Sequence, residues 1–353
     1  MPQGTNGEDS NVDWYNMVDE EPLDDVVDID NYEMEMPQVT FEESLEAIQG
    51  EALAPQDLLG FSNITRKQIH QLRAVWNTIS EEKRVTIAEV ALMVARERVF
   101  ADFGRYFATI LEDSAVDVRL NAATGAALSE VPELIRALTE AAENDENDDV
   151  REAALDSLAP HIVGLDAGLI NDRKDLERLM LLKKWAVDES WPVALRAAAL
   201  HAYSHNNMDD DVDAIIESFV DSGDDTLQLG AMRAMAVYGA GRFTRFLERQ
   251  LQSSDVDSRE AAAAAMGMSD DEAVVPMLTM VGRADTEPAV REAAYLALAN
   301  VGSDTALRSL TQLRENASDD DIEIIDGAIQ YITEMNEMFE QIEMLEDFEE
   351  NEY

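Results

Sequence analysis

Two histidines and two acidic runs are the places where this sequence could hold a metal ion. His201 and His205 stand four residues apart, the spacing that puts two imidazoles on one helix face in zinc sites. They lack the His-Glu-x-x-His pattern and an evident third ligand, which favours an ordinary helix end. The Asp runs at 209–211 and 319–321 lack the alternating spacing of a calcium loop and are typical of helix starts. We therefore predict neither a metal nor a cofactor.

The lack of cysteine and of a nucleotide-binding loop excludes further kinds of active site. The chain has no Cys, which removes disulfides, thiolate nucleophiles and Cys-type zinc sites. The Gly-Ala-Gly at 239–241 follows no predicted strand, as a nucleotide-binding loop would require. We therefore predict that the protein is not an enzyme.

A repeated sequence motif, called the Arg phrase below, predicts the helices that make up the chain. Its clearest copy is VREAAYLAL at residues 290–298. The Arg of the phrase recurs as Arg119, Arg151, Arg196, Arg259 and Arg291, with Gln228 and Glu323 in the same slot of two weaker copies. Successive slots are 31 or 32 residues apart, except for one step of 45. A constant period in this range is the signature of stacked helical repeats.

Each copy predicts a pair of helices. The first helix carries the Arg phrase, and the second carries two columns of apolar residues on one face. The columns are Ile135, Val212, Phe243, Val275 and Leu307, and, three residues on, Leu138, Ile215, Phe246, Leu278 and Leu310. One helix pair cannot bury that face alone, so the copies must stack into an α-solenoid. Ala pairs in the first helices allow close approach of their axes.

The pattern Asp-x(4)-Val-Arg-x-Ala-Ala, followed by a second helix, resembles the short HEAT repeat first noted in phycobilin lyases. The resemblance covers about residues 80–333 and implies an all-α, ARM-like superhelix of seven to eight helix pairs. Proteins with this repeat include scaffolds, adaptors and a few enzymes. The His-Glu pairs that bind iron in HEAT-type deoxyhypusine hydroxylases are missing here, and no tetrapyrrole-binding residues of a lyase are identifiable.

The repeated Arg could bind a ligand or hold the repeats together. Asp113, Asp145 and Asp285 each lie six residues before an Arg, where an acid suits the positive end of a helix. The Arg can form a bidentate salt bridge with that Asp or with the neighbouring repeat. We favour this structural ladder over a row of phosphate-binding arginines. The predicted ladder consists of Asp113, Arg119, Asp145, Arg151, Arg196, Arg259, Asp285 and Arg291.

A second set of arginines is a candidate partner-binding stripe. Arg242, Arg245 and Arg249 share one face of a second helix. Arg283 and Arg314 end the next two second helices. If second helices line the concave surface, the five form a stripe along it. The alternative is that they are cations favoured by the dipole at helix C-termini.

Negative charge is concentrated at the two ends of the chain. The 75 acidic and 26 basic residues give a net charge of −49. Residues 1–60 hold 17 acids and no base, and residues 315–353 hold 15 acids and no base. Such charge disfavours direct binding to nucleic acid. No signal-peptide pattern or 18-residue apolar run is present, so we expect a cytoplasmic protein that does not enter membranes.

These patterns divide the chain into four segments. We predict an acidic disordered tail (1–37), an N-terminal helical cap (38–79), the repeats (80–333) and an acidic amphipathic cap or tail (334–353). The step of 45 contains an insertion near residues 161–173, which is either a binding loop or a tolerated surface excursion.

The resulting functional prediction is a non-catalytic scaffold or adaptor. Its solenoid surface would bind a protein or an acidic peptide, and the acidic ends would modulate binding. One alternative is a chaperone or decoy whose acidic tails bind basic proteins. Another is a repeat enzyme of the phycobilin-lyase or hydroxylase kind.

Overall fold

Helices account for all regular structure in the described part of the chain. The structure is a computed structural model that describes residues 39–98, 100–170, 172–206, 211–239, 241–269 and 271–350. Within these ranges there is no strand, and no helix is long and apolar enough to cross a membrane. The predicted all-α fold is confirmed. The predicted acidic tail, residues 1–37, lies outside the described residues.

A short helical segment precedes the repeats. It consists of α1 (Phe41–Ala47), a 3-10 helix (Pro55–Phe61) and α2 (Arg66–Trp76). Helix α1 starts with a capping box, in which Thr40 and Glu43 satisfy each other's backbone N–H groups. Phe61 stacks on Tyr106 with their ring centroids 5.3 Å apart. Because Tyr106 belongs to the first repeat, this contact places the segment against the repeats.

The repeats form two layers of helices. The first helices are α3 (Glu81–Glu97), α5 (Val116–Ala126), α7 (Asp148–Asp156), α10 (Val193–Tyr203), α12 (Asp225–Tyr238), α14 (Val256–Met266), α16 (Pro288–Val301) and α18 (Asp319–Glu350). The second helices are α4 (Gly104–Ile110), α6 (Glu133–Asn144), α9 (Arg173–Val187), α11 (Asp211–Asp221), α13 (Thr244–Gln250), α15 (Val275–Ala284) and α17 (Asp304–Arg314). Each first helix packs against the first helix of the next repeat.

The apolar columns predicted in the second helices form the core between the layers. Nine of the ten side chains are buried, and Leu307 is partly buried against them. Burial of one such side chain is worth roughly 1.5–3 kcal/mol, so the columns supply a large share of the stabilisation. The continuous core depends on every repeat having a neighbour.

Small residues let the first helices approach each other closely. A Cβ added at Gly230 of α12 would lie 2.6 Å from the Cβ of Ala197 in α10. A Cβ added at Gly267, directly after α14, would lie 2.6 Å from the Cα of Ala297 in α16. Neither position has room for a methyl group, so glycine is required for the observed packing.

The insertion in the third repeat forms an additional helix, α8 (Ala159–Asp166), between α7 and α9. Its His161 and Ile162 are buried, whereas Leu169 beyond the helix is exposed. The insertion is therefore not wholly a surface excursion. Its first turn joins the core because Ile162 supplies an apolar side chain there.

The last helix, α18, runs without a break from Asp319 to Glu350. It crosses residue 333, where the sequence suggested that the repeats end. Ile325, Ala328 and Ile332 are buried, whereas Met338 is exposed. The end of the repeats is thus marked by a change of burial along one helix.

Substituting Gly230 by Ala tests the close approach of the first helices. The added methyl group must displace helix α10 or α12, because its nearest neighbours are the Cβ and backbone of Ala197. We expect Gly230→Ala to lower the melting temperature, although Ala is the better helix former by about 1 kcal/mol. Thermal unfolding followed by circular dichroism is the measurement.

The matched control is Gly327→Ala in α18, where an added Cβ meets nothing within 4 Å. We expect this variant to gain about 1 kcal/mol from helix propensity alone. If both substitutions changed the stability equally, close approach would not constrain the stack.

Candidate functional site

Three arginines of the repeated phrase form bidentate salt bridges with an aspartate of the following repeat. Arg119 donates to Asp145 from Nε at 2.7 Å and from Nη2 at 2.9 Å. Two further pairs, with distances of 2.8 to 3.2 Å, are Arg259 with Asp285 and Arg291 with Asp321. In all three, Nη1 donates to a backbone carbonyl in the turn before the arginine's own helix. Each arginine therefore ties its own turn to the next repeat.

These salt bridges are largely shielded from solvent. The side chains of Arg119 and Asp145 are only 9% and 7% exposed. Burial alone would raise the pKa of Asp145, but hydrogen bonds from Arg119 and from the N–H of Asn147 lower it. The pKa of Asp285 is lowered chiefly by the hydrogen bond from Arg259. Loss of such an arginine would leave a poorly solvated charge without its partner.

The predicted ladder is interrupted in the middle of the stack. The Arg151 guanidinium lies 4.8 Å from the ring centroid of Trp191, and its carboxylate partner, Asp148, is in its own helix. Arg196 lies 5.5 Å from the ring centroid of Phe219. At these two junctions, cation–π contacts replace the salt bridge between repeats.

The sequence did not predict three residues of the ladder, which are Arg84, Trp76 and Asp321. Asp113 accepts hydrogen bonds from Arg84 Nε at 2.8 Å and from Trp76 Nε1 at 2.6 Å. Ile87 stands 32 residues before Arg119, in the slot of the repeated Arg, and Arg84 lies three residues before it. Asp321 lies only two residues before the slot at Glu323. These pairs differ from the regular ones in the number of residues between the Arg and the Asp. The separation is 29 residues in Arg84–Asp113 and 30 in Arg291–Asp321, but 26 in the regular pairs.

The five arginines of the predicted stripe differ in their surroundings. Arg242 forms salt bridges with Asp213 and Glu217, and Arg314 forms one with Asp326. The remaining three are exposed and have no ion pair among the described residues: Arg245, Arg249 and Arg283. Two of the five charges are thus already neutralised within the chain.

A groove of about 520 Å³ crosses four successive first helices, α10, α12, α14 and α16. Its apolar lining includes Val237, Ala264, Ala293 and Leu296. The Leu296 side chain is 48% exposed. The groove lies on the layer opposite to that of the predicted arginine stripe.

Acidic residues line this groove. Asp257, Glu260 and Glu292 are among its lining residues, together with Arg233 and His201. None of the three carboxylates has an ion pair in the described part of the chain. Glu260 and Glu292 each follow a ladder arginine by one residue. The helix that directs the arginine to the next repeat therefore directs the following glutamate to the groove.

His201, the first residue of the histidine pair, lies at one end of the groove. His201 Nδ1 is 3.3 Å from an Asp156 carboxylate oxygen, and the rings of His201 and His205 have centroids 5.8 Å apart. Burial, and then the neighbouring His201, lower the pKa of His205. Among the described residues, no group of three or more His, Cys, Asp or Glu is arranged to hold a metal ion.

His161, in α8, has the most perturbed histidine environment that the structure describes. It is 2% exposed, and its Nε2 has no hydrogen-bond partner. Burial lowers the pKa of His161 to about 4, against an opposing effect of Asp175. The side chain is therefore neutral in the folded protein at ordinary pH.

Comparison with known proteins identifies the repeat type. Residues 244–326 match the family model described as HEAT repeats. No curated protein sequence matches the chain significantly. Structural similarity is found to the CpcE–CpcF complex of phycocyanin lyase from Nostoc sp., with 19% identity, coverage of 80% of this chain and 96% of that chain, and a TM-score of 0.44.

Two further structures show similarity at a comparable level. The Escherichia coli protein YibA has 17% identity over 80% of this chain and 98% of that chain, with a TM-score of 0.41. Human deoxyhypusine hydroxylase in complex with glycerol has 14% identity over 84% of this chain and 96% of that chain, with a TM-score of 0.32. Similarity at this level says nothing about the roles of individual residues, which are inferred from the geometry of this chain.

Arg291→Ala tests the ladder. It removes a bidentate partner from Asp321, which is buried, so we expect a loss of about 2 kcal/mol of stability with binding preserved. Chemical denaturation measures the loss. Arg249→Ala is the matched control, because Arg249 is exposed and has no ion pair in the described part of the chain. Equal stability of the two variants would contradict a structural role for the ladder.

His161 should make the folding stability depend on pH. Its pKa falls from 6.5 in the unfolded chain to about 4 in the folded protein, so only the unfolded state takes up a proton between these values. Stability from this residue is therefore full above pH 6.5 and decreases by about 3 kcal/mol as the pH falls to 4. The measurement is the difference in unfolding free energy between wild type and His161→Leu at pH 7 and pH 4.5. A difference that does not change with pH would refute this assignment.

Proposed function

Because this chain is a HEAT-repeat protein, we propose that it is a non-catalytic interaction scaffold whose partner binds in the groove of the first helices. HEAT repeats commonly serve as protein-interaction modules. The observation that carries the proposal is the groove itself, in which exposed Leu296 lies beside carboxylates without ion pairs. An exposed apolar patch with a polar rim is typical of a protein-binding surface.

The charge distribution supports a second candidate function. The chain carries a net charge of −49, with 17 acidic and no basic residues in positions 1–60. Acidic ends of this kind would attract basic proteins without a shaped site, as a chaperone or decoy does. This candidate places binding in the ends of the chain and predicts little dependence on Leu296.

Paired substitutions separate the two candidates. Leu296→Arg places a long cation in the groove, whereas Met280→Arg makes a similar change on the second helix α15, where Met280 is 61% exposed. Each variant, wild type and a chain lacking residues 1–37 would be used for affinity capture from the native cell. We expect Leu296→Arg to lose a set of proteins that wild type, Met280→Arg and the truncated chain retain.

Circular dichroism and thermal unfolding would confirm that all variants are folded. Capture that is lost on truncation and unaffected by Leu296→Arg would favour the chaperone or decoy. Capture that is unchanged in every variant would contradict both candidates.

A further inference from the structure

The groove continues as a partly apolar track toward the C-terminal helix. Asn300 lines the groove and also two smaller cavities of about 420 and 260 Å³. The first of these contains exposed Met268, and the second contains exposed Tyr331 of α18. Packed helices are roughly 8–10 Å apart, so the track from α12 to α18 is roughly 25–30 Å long. About 18 residues of α-helix have this length.

Carboxylates flank this track on successive repeats. Asp257, Glu260 and Glu292 line the groove, and Glu272 lines the cavity that contains Met268. None of the four has an ion pair among the described residues. Their charges are therefore available to a bound partner.

Basic residues are scarce along the same track. Arg233 is the only Arg or Lys among the described residues that line the groove and the two cavities. It is close enough to Glu152 of α7 to oppose the rise in the pKa of that carboxyl. That rise is caused first by burial, then by Asp156, with a further contribution from Asp149. The nearby Glu152 carboxylate therefore partly offsets the charge of Arg233.

We infer that the groove and its track bind an amphipathic helix of a partner protein that carries Lys or Arg alongside an apolar face. This inference rests on the proposed binding role of the groove. The apolar face would cover Leu296 and Met268, and its cations would pair with the flanking carboxylates. The occupant is opposite in charge to the acidic peptide that the arginines of the second helices suggested.

Charge selects this occupant over an acidic one. An acidic helix in the same place would bring its carboxylates beside Glu260 and Glu292 while both sets lose solvent. Like charges in such proximity repel, and their desolvation is not compensated by an opposite charge. A purely basic segment without an apolar face would leave Leu296 uncovered and would bind more weakly.

Three fluorescein-labelled peptides of 18 residues test the inference on the full chain. The first has Leu and Lys in a helical amphipathic pattern, the second replaces Lys by Glu, and the third replaces Leu by Ser. We expect the Leu/Lys peptide to bind most tightly at physiological salt, measured by fluorescence anisotropy. The Leu/Glu peptide should not bind, and the Ser/Lys peptide should bind at least about tenfold more weakly.

Matched variants distinguish the groove from the general acidity of the chain. The double variant Glu260→Gln/Glu292→Gln removes two charges from the groove. The control Glu143→Gln/Glu248→Gln removes two exposed charges from the second helices α6 and α13. We expect the groove variant to weaken binding of the Leu/Lys peptide by about tenfold and the control to leave it nearly unchanged.

Each outcome has a separate meaning. Equal weakening by the two double variants would show unspecific attraction and overturn the inference. Preference for the Leu/Glu peptide would also overturn it, while a partner captured through Leu296 would still support the proposed function. Failure of both the peptide and the capture experiments would overturn both.

Discussion

Each helix pair of this chain has an apolar face that only the next pair can cover, and the other features of the structure depend on this constraint. The stack closes because Gly230 and Gly267 leave no Cβ between neighbouring first helices. A first helix uses three directions for packing: toward its own second helix and toward the first helices on either side. The fourth direction is left to solvent, and the groove is formed there by residues that stacking does not need, such as Glu260 and Leu296.

The Arg–Asp pairs determine the register between repeats, because a bidentate salt bridge requires both groups to be in place. The stack nevertheless contains an insertion, and the junction that spans it and the next one do not use this device. Arg151 and Arg196 instead contact the rings of Trp191 and Phe219. A ring accepts a cation over its whole face, so this contact tolerates a shift better than a forked salt bridge does. The exchange of a salt bridge for a cation–π contact explains how the repeated Arg is kept where the insertion changes the spacing of the repeats.

The fold was predictable from the sequence because its two main signals are local. The period of the Arg slot and the apolar columns three residues apart determine helix pairs and their buried faces without knowledge of any long-range contact. The pairing of each charge was less predictable, because partners lie in adjacent repeats and small changes in spacing decide between them. Arg242, in the 3-10 helix Gly241–Phe243 before α13, has carboxylates from α11 beside it, whereas Arg245 of α13 has no ion pair among the described residues. The groove was not predicted, because it combines a few residues from each of four repeats.

Charged side chains within the ladder stabilise the stack, whereas charged side chains beside the ladder are available for binding. Arg259 and Arg291 are each neutralised by an aspartate of the next repeat, within a layer that excludes most solvent. The glutamates that follow them in the sequence point away from this layer and keep their charge without a partner in the described part of the chain. The net charge of −49 therefore says less about the partner than this local excess does. Since the repeated phrase places an arginine in the ladder and a glutamate in the groove in the same turn, stacking two such repeats also aligns their unpaired carboxylates along one surface.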